Sequence, residues 1–119
     1  MRFLFYSPDS YGLGHIRRTI SVCERLLSVR ADASALVLTG APRAHLFAYP
    51  DRCDYMKLPS ISKREDGQYM SRDIDLSLAE TVNLRSRVIA ESAASFRPDV
   101  IVVDHNPVGL CGEALRMLE

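Results

Sequence analysis

Three short apolar runs constrain this chain more than any other feature: Phe3-Leu4-Phe5-Tyr6, Ala35-Leu36-Val37-Leu38 and Val100-Ile101-Val102-Val103. Each is too short for a helix and lacks the polar alternation of a strand with one wet face, so each is expected to be a strand covered on both sides. Between them the period changes. Ile16, Ile20, Cys23, Leu26 and Leu27 fall on one face of a helix running from Gly14 to Val29. Ser77 and Glu80 form a capping box that starts a second helix, which runs to Phe96 with Leu78, Val82, Ile89, Ala93 and Phe96 as its inner stripe. Pro42 suits the first position of a short helix through Tyr49. A further strand is expected at Tyr55–Leu58, ended by Pro59, which cannot donate to a sheet ladder. The polar stretch "SISKREDGQYMSRDID" is long for a connection and is read as a functional or mobile loop. A last helix begins near Gly109.

Strands alternating with helices imply an α/β fold: a Rossmann-like parallel sheet with helices on both faces. In the doubly wound order 3-2-1-4 the fourth strand, Val100–Val103, lies beside the first, and a crevice opens above their carboxyl ends. Two loops meet there, "SPDSYGLGH" after strand one and "DHNPVG" after strand four. That order brings Asp9, His15, Asp104 and His105 within reach of one another.

Several function classes are excluded. With Lys+Arg and Asp+Glu both at 15, the chain lacks the basic excess of a nucleic-acid binder. At 119 residues it is one domain at most, and no apolar stretch approaches the ~20 residues of a membrane span. The N-terminal apolar run is too short for a signal peptide, since Pro8-Asp9 ends it. Cys23, Cys53 and Cys111 show no metal or redox spacing and are read as reduced thiols of a cytoplasmic protein. His15, His45 and His105 have no metal-ligand spacing. A dinucleotide fingerprint fails because Arg17 stands where the third glycine belongs, and there is no Gly-Lys-Ser/Thr phosphate loop.

What remains is the first loop. His15 lies in the first turn of a helix, whose positive end favours a neutral imidazole able to accept a proton. A carboxylate such as Asp104 would orient the ring and stabilise its charged form after proton transfer. Gly12 and Gly14 allow a tight turn and a close ligand. Arg17 and Arg18 are the wrong charge for a helix start, so an anion is expected there, held by them and by the free amides of the helix. His105 and Asn106 complete the candidate site. Each of these residues also has a plainer reading, as a cap, a space-filler or a solvated face.

Taken together, "YSPDSYGLGHIRRT", "VLTGAP", "DYMKLPS", "LSLAETVNLRSRVI" and "FRPDVIVVDHNPVG" resemble the N-terminal, acceptor-side half of a GT-B glycosyltransferase. The likeness is to predicted bacterial glycosyltransferases whose first loop reads Gly-x-Gly-His-x-x-Arg. It implies a metal-independent enzyme, with no cofactor, that transfers sugar from a nucleotide-sugar donor to an acceptor hydroxyl. It assigns His15 as base or positioning group, Gly12 and Gly14 to the turn near sugar or phosphate, and Asp104 to the partner of the histidine. The loop from Ser60 to Asp75 falls on the acceptor side. The resemblance also implies that residues 1–119 are a partial N-terminal domain, inactive alone, without the C-terminal domain that binds most of the donor. The open sheet edge of such a piece invites self-association. Two alternatives stand: a nucleotide-sugar hydrolase or epimerase of the same fold, and a non-catalytic flavodoxin-like binding domain.

Overall fold

The computed structural model describes residues 1–8 and 13–119. Four parallel strands, β1 (Arg2–Ser7), β2 (Ser34–Thr39), β3 (Cys53–Lys57) and β6 (Val100–Val103), form one sheet in the order β3-β2-β1-β6. This is the doubly wound order expected, with β6 as the fourth strand of the sheet. Helix α1 (Gly14–Val29) covers one face, where Phe3, Phe5, Ala35 and Val37 meet Ile16, Ile20, Cys23 and Leu27. Helix α2 (Leu78–Phe96) covers the other, where Leu4, Tyr6 and Leu38 meet Ile89. The in-register pairing Leu4↔Leu36 and Leu4↔Ile101 keeps like faces together across the sheet.

Several local expectations are corrected. The stretch after Pro59 is not an irregular loop: it folds into an antiparallel hairpin, β4 (Ile61–Lys63) against β5 (Tyr69–Ser71). Its turn is built on Asp66-Gly67, with Gly67 at φ 87° and the Asp66 side chain accepting from the Gln68 amide at 3.0 Å. The region after Pro42 forms only a single helical turn, Ala44–Leu46. Strand β3 starts at Cys53, earlier than expected. After β6 a helical turn at Leu110–Gly112 precedes α3 (Leu115–Leu118).

Two burial patterns also differ from expectation. The Ser77 hydroxyl accepts from the Glu80 amide at 3.1 Å, so α2 is capped where expected. Its buried stripe, however, is Thr81, Arg85 and Ile89, one turn apart, with a guanidinium at its centre. In β6 only Ile101 and Val103 pack on the α2 side. Val100 and Val102 share a face with Phe3 and Phe5 but stay 39% and 37% exposed, because α1 lies over β1 and β2 and does not reach them.

The C-terminal end of α1 is held by a residue far along the chain. Arg52, at φ 66°, donates to the carbonyls of Leu27 at 2.5 Å, Arg30 at 3.0 Å, Ala31 at 3.1 Å and Ala33 at 2.5 Å. A cation there satisfies the Leu27 carbonyl in the last turn of the helix, at its negative end, and carbonyls of the connection to β2.

Candidate functional site

A cleft of about 560 Å³ opens above the carboxyl ends of β1 and β6, where the sheet order reverses direction. It is lined by Pro8, Gly14, His15, Tyr69, His105, Asn106 and the Gly109-Leu110-Cys111 segment. Its volume falls within the range of small-molecule sites, roughly 300–1,000 Å³.

His15 enters this cleft from the first turn of α1. Its Nδ1 lies 2.9 Å from Asp104 Oδ2, at the end of β6. Arg18, one turn along α1, donates to the other oxygen, Asp104 Oδ1, at 2.6 Å. The Arg18 nitrogen also lies 3.1 Å from His15 Nδ1. A carboxylate only accepts, and a guanidinium only donates, so Nδ1 cannot serve both neighbours at once. The shorter contact decides it: Nδ1–H donates to Asp104, and Arg18 spends its hydrogen on the same carboxylate. Nε2 is then the lone-pair nitrogen. The Asp104 side chain is 16% exposed and that of His15 33%; His15 lines the cleft, while Asp104 and Arg18 stand behind it, beside Val102 and Val103.

The two loops thus bring together His15, Asp104, Arg18, His105 and Asn106. The His105 ring lies tilted against that of His15 at 5.3 Å, on a backbone at φ 72°, a conformation that costs a non-glycine residue strain. Asn106 shapes the same loop: its Oδ1 accepts from the Val108 amide at 3.1 Å, and its carbonyl from Gly109 at 2.9 Å. Gly14 opens α1 in ordinary helical territory. Among the described residues nothing lies within 4 Å of a Cβ placed there, so neither crowding nor backbone conformation requires a glycine. Arg17 does not line the cleft; its guanidinium lies 6.0 Å from the centre of the Phe47 ring. Gly12 and Asp9 lie outside the described residues. Leu13, at the N-cap of α1, makes no side-chain cap, and the first turn holds no acidic residue.

Sequence reasoning missed two contributions. Tyr69 reaches the cleft from the hairpin. The Asp-Gly dipeptide of "REDGQY" was the available signal, since it marks a hairpin turn. The second is a buried polar network beneath the cleft floor. Arg85 donates to Glu113 Oε1 at 2.7 Å and to the Pro59 carbonyl at 3.0 Å, and neither charged side chain has exposed surface. The Tyr6 hydroxyl donates to the same Glu113 oxygen and accepts from the Leu110 amide at 3.1 Å. Burial, and next the charge of Glu113, push the Tyr6 phenol well above its ordinary range. The network ties β1, α2 and the β3–β4 connection to the segment that lines one side of the cleft. Its signal was Arg85 itself, a charge on the inner stripe of α2.

No protein-family model matches the chain, and no curated protein matches it in sequence. Among solved structures, the chain is similar to a ugt transferase from Siraitia grosvenorii in complex with UDP, with a TM-score of 0.57 and 16% identity. The match takes in 98% of this chain and 24% of that one, so the chain spans about a quarter of that protein's length. The α/β architecture of residues 1–119 is therefore that of a stretch of a glycosyltransferase fold.

Proposed function

We propose that this chain supplies the acceptor-side half of a glycosyltransferase site and that His15 is its general base. The observation that carries the reading is the His15–Asp104 contact of 2.9 Å at the wall of the cleft. With Nδ1–H held by Asp104, Nε2 takes the proton of an acceptor hydroxyl. The acceptor oxygen then bonds to the anomeric carbon of the donor sugar, and the bond from that carbon to the nucleotide diphosphate breaks, the electron pair leaving with the phosphate. Asp104 stabilises the imidazolium formed in that step, and Arg18 fixes the carboxylate that does so. His105 and Asn106 shape the opposite wall around the sugar or acceptor. The exposed part of Arg18 is where an anionic group of the substrates is expected. The donor nucleotide binds mainly to a domain outside residues 1–119.

The test is turnover by the full protein with nucleotide-sugar donors and an acceptor library, reading glycoside and released nucleotide diphosphate by mass spectrometry. His15→Ala is expected to lower turnover by ~10²–10⁴, the usual contribution of a general base. An unchanged rate constant overturns the assignment. Free sugar in place of glycoside would show hydrolysis, the alternative chemistry for this fold.

A further inference from the structure

Two of the three cysteines, 30 positions apart in sequence, meet in the fold. Cys23 lies on the buried face of α1 with no exposed surface, and Cys53 opens β3, half-buried. Their sulfurs are 3.5 Å apart. A disulfide needs about 2.05 Å, so an approach of roughly 1.5 Å joins them, within the reach of side-chain rotation and a small shift of α1 against β3. Both belong to the cluster between α1 and the sheet, away from the cleft.

We infer that Cys23 and Cys53 form a reversible disulfide, a redox modification site that fastens α1 to the first residue of β3. The chemistry of the pair supports it. The Cys53 thiol can donate to a Cys23 thiolate, which holds the Cys23 thiol below its ordinary range and pushes that of Cys53 up. The two thus share one readily lost proton, and a thiolate is the species that attacks a disulfide. The oxidant is a low-molecular-weight disulfide such as oxidised glutathione. The pair loses one proton to solvent, the remaining one settles on Cys23, and the accessible Cys53 bonds as the thiolate to one glutathione sulfur. The glutathione S–S bond breaks, and the other half takes up the released proton and leaves as a thiol. Cys23 then attacks the Cys53 sulfur, and the second glutathione leaves with the Cys23 proton. Two protein thiols are oxidised and one glutathione disulfide is reduced to two thiols. Closing a loop of this length restricts the unfolded chain, so the oxidised protein should melt about 10 °C higher.

The experiment incubates Cys111→Ser protein, which removes the exposed third thiol, with oxidised glutathione across a range of glutathione ratios. The expected result is a mass lower by two hydrogens, a linked peptide containing Cys23 and Cys53, reversal by dithiothreitol and the raised melting temperature. A stable glutathione adduct on Cys53, or two thiols still open to alkylation after denaturation, overturns the proposal. Differential alkylation of the unsubstituted protein gives the same two outcomes if Cys111→Ser folds poorly.

Discussion

Removing the guanidinium from the buried network should cost more stability than any surface change in this protein. In Arg85→Met the Glu113 carboxylate loses its cation at 2.7 Å and the Pro59 carbonyl loses its donor at 3.0 Å, with no water at hand because neither side chain is exposed. A buried charge left without its partner costs about 3–5 kcal/mol. A domain of this size has about 5–15 kcal/mol of stability in all, so the loss is roughly a fifth of the whole or more. Glu113→Leu should lose a similar amount from the other side, leaving Arg85 as an unpaired buried cation. The double variant Arg85→Met/Glu113→Leu removes both charges and leaves only neutral groups without partners, the Tyr6 hydroxyl and the Pro59 carbonyl, at about 1 kcal/mol or more each. It should therefore be more stable than either charge-breaking single variant, a strong failure of additivity. Urea unfolding followed by circular dichroism measures all four proteins, and amide exchange at Leu110 reports whether the loop held by Tyr6 has loosened. A loss below about 1 kcal/mol in Arg85→Met, or additive effects in the double variant, would refute the reasoning.

Three further outcomes are expected. Gly109→Ala should lose about 2 kcal/mol or more, because φ is 79° there and a Cβ would lie 2.9 Å from the Ala114 Cβ and 3.0 Å from its nitrogen; unchanged thermal stability would contradict this. Arg52→Ala should lose about 1–3 kcal/mol by stripping the last carbonyls of α1 of their donor, and Arg52→Lys should not restore it, since one ammonium cannot span four carbonyls. The Tyr6 phenol is raised, so the folded protein keeps a proton that the unfolded chain gives up above about pH 10. Its contribution is thus complete below that pH and falls as pH rises, by about 1.4 kcal/mol per pH unit; the stability difference between the protein and Tyr6→Phe, followed from pH 9 to 11, should shrink accordingly.

The parts of this fold that the sequence made legible are those written in local pattern. The run Phe3–Tyr6 is apolar because both faces of β1 are covered, and the helical spacing from Ile16 to Leu27 marks α1 from its first residue to its last. Ser77 marks the start of α2 through a bond only three residues long. The meeting of His15 and Asp104 was reachable too, since parallel strands with helical crossovers leave few orders, and the doubly wound one places their loops side by side.

Contacts between distant residues were legible only after folding. Arg85 and Glu113 are 28 positions apart and Tyr6 and Glu113 107 apart, and no periodicity announces that three polar groups will meet in a core. The covering of β6 differs from expectation for the same reason: the four residues from Val100 to Val103 are alike in sequence, but α1 is positioned over β1 and β2, so only Ile101 and Val103, on the α2 side, find a partner. Hydropathy and local hydrogen bonding determined which segments are strands and helices, because those preferences act over a few residues. Which side chains line the cleft, which charges are buried and which thiols touch was decided by the tertiary structure, because packing joins residues whose separation along the chain carries no local signal.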